Sequence, residues 1–263
     1  MTDHQETNIH PSAVVDPGAK LGVGVQIGAF AVVGPHVVLG DRVRIDHHGM
    51  VRGKTSLGAG TRVWSFATVG TEPQDLKYKG EDTELICGEN NMIREYANIS
   101  LGTVGGGGKT VVGSNNLFMV NTHIAHDCIV GNHCILANGV SLAGHIQVDD
   151  GAVIGGHTAI HQFVRIGRLA MLAGGSIVVQ DVPPFVTVHG NHASPAGLNL
   201  LGLKRSGRSK DQIRNIKMMY KLLYQSGLTL EEAIERMGKD LPDSEDLECF
   251  KAFCQGTSRG LCR

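Results

Sequence analysis

The chain has 263 residues and a formal net charge of −1, with 36 glycines and 5% aromatic residues. Near-neutrality offers no electrostatic handle to nucleic acid or an anionic membrane surface, and a glycine share twice the usual value of about 7% argues against a conventional globular core. Cys87, Cys128, Cys134, Cys249, Cys254 and Cys262 form no CxxC pair, which excludes a zinc ribbon and a disulfide framework. The stretch from Met1 to His10 is polar and no apolar run reaches membrane-spanning length, so a soluble, cytoplasmic protein with reduced thiols and no transmembrane segment is expected.

The first element is a repeat. Stepping by six from Ile9 gives Val15, Leu21, Ile27, Val33, Leu39, Ile45, Val51, Leu57, Val63 and Val69. Four positions after each stands a small or β-branched residue, from Ala13 and Ala19 through Gly49 to Thr61 and Ala67. A second run passes from Val112 through Phe118, Ile124, Val130, Leu136, Leu142, Val148, Ile154, Ile160, Ile166 and Leu172 to Val178. A helix needs a period near 3.6 and a half-buried strand a period of two, so a strict six calls for another solution. One short strand and one turn per hexad, three hexads per triangular coil, and coils stacked in parallel satisfy it. Turns are expected at Gly, Asn and Asp, which tolerate unusual backbone angles. Periodicity leaves the handedness of this prism open.

Two stretches break the rhythm. The segment 72–83 places Asp75 and Glu81 where aliphatics belong, yet Cys87, Ile93 and Ile99 resume in phase, which predicts a loop thrown out from the prism. The segment 102–110 shifts the phase by one and predicts a second loop. After Val178 the hexads stop. QDVPPF (180–185) leads into an extended stretch and then a helical tail. Ser209 with Gln212 reads as a capping box opening a helix that carries Ile213, Ile216, Tyr220 and Leu223. Thr229 with Glu232 opens a second helix, and Pro242-Asp243-Ser244 precedes a third. The expected organisation is a parallel β-helix over residues 1–190 and a C-terminal α-helical domain over 191–263 that caps its open end.

GGGGKT resembles a phosphate loop, but a true one needs glycine where Thr103 stands and a helix where the hexads resume at Val111. The histidines include His123 with His126 and His157 with His161, spacings that a metal could use, as in β-helical carbonic anhydrases. The plainer reading of most of them is exposed turn residues.

The three-hexad coil converts sequence into proximity. His126, Gly144 and Gln162 fall in one column, with coils about 4.8 Å apart. In the adjacent columns Asp127 lies beneath His145 and Ala143 beneath His161. A histidine can take a hydroxyl proton as general base, a carboxylate can fix its tautomer, and an unshielded glycine N–H can hold a developing oxyanion. No serine or cysteine lies in these columns, which favours direct attack by an acceptor over a covalent acyl-enzyme.

These residues carry a resemblance. NTHIAHDCIVGN (121–132), LAGH (142–145), IGGHTAIHQF (154–163), QDVPPF and GNHASPAGLNLLGLKR (190–205) resemble the UDP-N-acetylglucosamine 3-O-acyltransferases of lipid A biosynthesis, over the whole chain. The resemblance implies a left-handed β-helix and a homotrimer with sites between subunits. It also implies transfer of an (R)-3-hydroxyacyl chain from acyl carrier protein to the 3-hydroxyl of UDP-N-acetylglucosamine, without metal or cofactor. By the same resemblance His126 is the base, Asp127 its partner and the Gly144 N–H the oxyanion donor. Asp75, Lys77, His123, His145, His161 and Gln162 line the substrate pocket, Asn199 and Arg205 hold the nucleotide, and Gly174 limits acyl length. The chain departs from the family pattern at Leu201, commonly acidic, at Ser206, commonly arginine, and at Ser100, often histidine.

The nearest rival, the UDP-amino-sugar N-acyltransferase of the same pathway, carries a separate domain before its β-helix, whereas the hexads here begin at Ile9. A metal-binding, carbonic-anhydrase-like β-helix is the alternative from another class. Finally, Lys204, Arg205, Arg208, Lys210, Arg214, Lys217 and Lys221 stand against a single acid, Asp211, a basic segment suited to the strongly acidic acyl carrier protein.

Overall fold

A hexad such as Gln26-Ile27 followed by Gly28-Ala29-Phe30-Ala31 becomes a short strand and a tight turn. The second strand residue points inward, and so does the last turn residue, so Ile27, Ala31, Val33, Val37 and Leu39 are all buried in one continuous core. The computed structural model describes residues 6–263; the beginning of the expected first domain, residues 1–5, lies outside the described residues. Three faces result, of eleven, nine and eight strands, parallel except for the last pair of the first face. The prism is a left-handed parallel β-helix.

Register follows the hexads. Ile27 pairs with Ile45, three hexads on. Across the first interruption Val63 pairs with Ile93, five hexads on, so two hexads of chain leave the prism without altering its phase. Across the second, Ile93 pairs with Phe118, which lies one position past four full hexads, so the phase moves by one. From Phe118 to Leu136 the step is three hexads again. Strands end at Thr71 and resume at Glu84, and end at Ser100 and resume at Lys109. Both loops therefore leave the prism at the edge where the second face turns into the third.

The turn residues follow expectation only in part: Gly24, Gly60, Asn90, Asn115, Asn121 and Asp127 are left-handed. The sequence places left-handed backbone at Gly, Asn and Asp, yet Phe30, His48, Phe66, Tyr96, His133, His145, His157, Phe163, Leu169 and Phe185 all adopt φ between 54° and 69°. Such residues strain there by roughly 1–3 kcal/mol each. Stacking between coils opposes the strain: Phe30, His48, Phe66 and Tyr96 form one column with ring centroids 5.1, 5.1 and 5.3 Å apart. The turn N–H also bonds the coil beneath, as from His48 to the Ala29 carbonyl at 3.0 Å.

At the C-terminal end the strand Val186–His189 stacks on Met171–Leu172 and pairs antiparallel with Ser194–Leu198, so the expected boundary at position 190 falls between two strands of one pair. Four helices follow: α1 (Leu200–Arg205), α2 (Lys210–Tyr224), α3 (Leu230–Asp240) and α4 (Glu245–Gln255). Both expected capping boxes, Ser209 with Gln212 and Thr229 with Glu232, are formed, and Ser244 caps α4. Helix α1 is an addition to the expected three, too short to show periodicity in the sequence. The helices bury Leu203, Ile216, Met219, Phe250 and Phe253 with Phe185 from the last turn of the prism, in a second core that covers its end.

Candidate active site

The turn Ala125–Cys128 occupies the edge between the second and third faces, one coil beyond the loop at 101–108 and two beyond the loop at 72–83. Its left-handed residue is Asp127, and the next two in that column are His145 and Phe163. The His145 N–H bonds the His126 carbonyl at 3.1 Å, which sets the stacking that the three-hexad spacing predicts.

His126 Nδ1 lies 2.7 Å from Asp127 Oδ2. The Asp127 side chain is fully buried and that of His126 is 14% exposed, so the carboxylate works in a dry setting while the ring reaches the surface. An ionised carboxylate only accepts hydrogen bonds, so Nδ1 carries the proton and Nε2 is free to accept one. Gly144 lies against the ring, and among the described residues its N–H donates to no protein acceptor. His145 Nδ1 stands 3.8 Å from the same Asp127 oxygen, and the ring stacks on Phe163 at 4.5 Å. A base, its carboxylate, an open N–H donor and a second imidazole thus meet at one edge of the prism.

His123 is on the neighbouring strand. It donates from Nδ1 to Asn98 Oδ1 at 2.9 Å, while Asn98 Nδ2 donates to Thr68 and Thr71. Burial, and then the proximity of His126, hold its imidazole below the usual histidine range. His161, exposed, donates to the Gln162 carbonyl at 3.1 Å, and both residues lie one coil beyond Gly144. In the loop that leaves the same edge two coils earlier, Asp75 Oδ1 accepts the Lys77 N–H at 2.9 Å. Leu76 between them is 96% exposed.

The remaining candidates lie elsewhere on the prism. Asn199 and Arg205 line a cavity of about 870 Å³ at the edge between the third and first faces, with His133, Leu169, Met171 and Leu201. Asn199 caps α1, accepting the Gly202 N–H and donating to the Leu169 carbonyl, both at 2.9 Å. Arg205 is exposed. Gly174 occupies the third edge, next to the turn residue Gly175, where an added β-carbon would approach the Gly156 carbonyl to 3.1 Å. One chain therefore gathers the catalytic candidates but not the nucleotide candidates beside them.

Sequence reasoning missed four neighbours: Asn98, Phe163, Thr103 and Thr110. Thr103 N–H reaches Asp127 Oδ1 at 2.7 Å and its hydroxyl reaches Oδ2 at 2.6 Å, while Thr110 Oγ1 accepts the Asp127 N–H at 2.9 Å. The phase shift was the available signal, because a loop inserted one coil before His126 must abut it. His126, Asp127 and His145 offer ligand atoms within 4.8 Å of one another, the spacing of a metal trio. Yet three donors already converge on the Asp127 carboxylate, which suits a proton relay. Burial pushes the thiol of nearby Cys128 up to about 12, which removes it as a nucleophile.

A model of the family described as Udp N-acetylglucosamine O-acyltransferase, domain 2, matches residues 181–262, and one described as bacterial transferase hexapeptide (six repeats) matches residues 109–144. Among solved structures the chain is similar to LpxA from Acinetobacter baumannii, at 42% identity over 97% of this chain and 99% of that one, with a TM-score of 0.94. It is similar to LpxA from Bacteroides fragilis, a UDP-N-acetylglucosamine acyltransferase, at 38% over 97% and 100%, with a TM-score of 0.94. A UDP-N-acetylglucosamine acyltransferase from Campylobacter jejuni matches at 40% over 97% and 99%, with a TM-score of 0.93.

Proposed function

The chain belongs to the UDP-N-acetylglucosamine acyltransferase family, and from that premise we propose that it moves an (R)-3-hydroxyacyl group from acyl carrier protein to the 3-hydroxyl of UDP-N-acetylglucosamine, the first step of lipid A biosynthesis. The observation that carries the reading is the 2.7 Å contact between His126 and Asp127 beside the open N–H of Gly144. His126 Nε2 takes the proton of the sugar hydroxyl as its oxygen attacks the thioester carbonyl carbon. Negative charge gathers on the carbonyl oxygen, opposite the Gly144 N–H. Collapse of the tetrahedral species breaks the carbon–sulfur bond, and the departing thiolate takes the proton back from the imidazolium. Asp127 holds the Nδ1 proton throughout and needs no metal or cofactor to do so.

The substrate residues divide by position. His123, His145, His161, Gln162, Asp75 and Lys77 share the catalytic edge and would receive the sugar and the acyl donor. Asn199 and Arg205 would hold the nucleotide from a second copy of the chain, because in one copy they lie on a different edge. The exposed column Phe30, Phe66 and Tyr96 supports such self-association, which we take to be the homotrimer that the family resemblance implies. Gly174 would leave the acyl groove open for a long chain. We take the prism as the catalytic domain and the helical segment as its cap and docking platform. On α2, Lys210, Arg214, Lys217 and Lys221 recur at helical spacing along an exposed stripe, suited to acyl carrier protein. Among the described residues no helix is long and apolar enough to cross a membrane; a protein carrier and a nucleotide sugar as substrates belong to the cytoplasm.

The test is mass spectrometry of the product from a panel of acyl carrier protein thioesters with acceptors bearing a 3-hydroxyl or a 3-amino group. An ester formed with the 3-hydroxyl acceptor is expected. Amide formed in preference, or no transfer to either, would overturn the reading.

A further inference from the structure

The loop that interrupts the prism one coil before His126 closes over Asp127. Thr103 sits at its start and supplies two donors to one carboxylate: its N–H to Oδ1 at 2.7 Å and its hydroxyl to Oδ2 at 2.6 Å. Oδ2 is the oxygen that also accepts from His126 Nδ1 at 2.7 Å. From the other side Gly106 presses against the group: a β-carbon there would stand 2.0 Å from the carboxyl carbon of Asp127. Gly106 does not adopt the left-handed backbone that its neighbours Gly107 and Gly108 adopt, so the need for glycine at 106 is one of space.

Two imidazoles compete for this carboxylate. His126 Nδ1 is at 2.7 Å and His145 Nδ1 at 3.8 Å from the same oxygen. A carboxylate with free rotation about its terminal bond could divide its hydrogen bonds between them. With Oδ1 tied to the Thr103 N–H and Oδ2 to its hydroxyl, that rotation is blocked, and Oδ2 faces His126. Charge-assisted bonds of this kind are among the stronger ones, and burial strengthens them further.

We propose that Thr103 is a positioning residue for the transfer reaction: it locks the Asp127 carboxylate onto His126 rather than His145 and so fixes the His126 tautomer whose Nε2 is bare. The loop acts as a clamp on the catalytic pair, and Gly106 is the space that lets it close. The kinetic consequence rests on the acyl-transfer reading above; the tautomer does not.

A structural role for Thr103 is separable. Its carbonyl accepts from the Gly106 N–H at 3.0 Å and the Gly108 N–H at 2.8 Å, which shapes the loop, and these backbone bonds survive a change of side chain. Thr103→Val keeps the shape and loses the hydroxyl, and Thr103→Ser keeps the hydroxyl. Thr103→Val is expected to lower kcat by about 10- to 100-fold, the scale of one hydrogen bond to a charged group, with both KM values unchanged. Thr103→Ser is expected to restore most of it. In an Asp127→Ala background Thr103→Val should cost nothing further, because the hydroxyl acts only through that carboxylate. Gly106→Ala should mimic Thr103→Val, and lose its effect in the same background.

Nitrogen-15 spectra of histidine-labelled full-length protein at mildly alkaline pH, with His126→Ala to assign the signal, read the tautomer without any turnover. The expected result is a single Nδ1–H form of His126 in the wild type and a mixture in Thr103→Val. An unchanged single tautomer in a folded Thr103→Val protein overturns the proposal, as does an equal loss of kcat with and without Asp127. A wild-type protein that shows the tautomer lock but no transfer would leave the clamp standing and overturn the reaction class instead.

Discussion

The ring of His126 lies over the α-carbon of Gly144: a β-carbon there would stand 2.6 Å from Cε1 and 2.9 Å from Nε2 of the imidazole. Gly144 does not adopt left-handed backbone, so the glycine is required by the ring and not by the turn. The same absence of a side chain leaves the Gly144 N–H open beside the atom that accepts the proton. Base and oxyanion donor are thereby held on adjacent coils of one edge.

Gly144→Ala should therefore act on turnover before stability. The added methyl displaces the His126 ring, and a misplaced base or donor costs on the order of 10²-fold in kcat. The prism core lies on the far side of the turn, so the thermal midpoint should fall by only a few degrees. Steady-state kinetics and a melting curve check both halves. Near-normal kcat would show that the ring has another productive position.

Acid stability should report on His123. Burial first, and His126 second, hold its imidazole below the usual value of 6.5. The folded state therefore favours the neutral ring, and as pH falls through that value the unfolded chain binds the proton first. The contribution of His123 is complete above this range and is lost progressively below it, until the folded value is passed. Urea midpoints measured across this window should fall less steeply with acid in His123→Gln than in wild type. Parallel curves would place the acid sensitivity elsewhere.

The basic stripe on α2 should govern encounter with the protein substrate. Arg208 does not belong to it: its guanidinium forks onto the nearly buried Asp246 at 2.9 and 2.6 Å, which ties the start of α2 to α4. Reversal of Lys210, Lys217 and Lys221 to Glu should raise the apparent KM for acyl carrier protein thioester several-fold and flatten its salt dependence. The KM for the nucleotide sugar should stay within about twofold. Equal effects on both substrates, or on neither, would remove the stripe from docking. Arg208→Glu should instead lower the melting temperature.

What the sequence reveals and what it hides follow from geometry. Every sixth residue from Ile27 to Val69 must be aliphatic because it faces a shared interior, so the prism and its register are written in the chain, and with them the meeting of His126, Asp127, Gly144 and His145. The loops obey no such period. Thr103 reads as a failed phosphate-loop position, and only the folded loop brings it to Asp127. Phe30, Phe66 and Tyr96 take left-handed backbone because neighbouring coils stack on them, a preference no single residue displays. Asn199 reads as a nucleotide ligand, while its amide also caps α1, a helix too short to show a periodicity of its own.

The most direct measurement is the single-turnover rate of acyl transfer by His126→Ala against wild type, at equal folded concentration and saturating substrates. The His126 side chain reaches the surface and is not part of the aliphatic core, so the variant should fold and bind both substrates as the wild type does. If His126 is the base, the rate should fall by about 10²–10⁴-fold, while a sugar nucleotide titration followed by calorimetry remains unchanged. A folded His126→Ala protein that transfers the acyl chain within a few-fold of the wild-type rate would contradict the assignment of His126 as the general base.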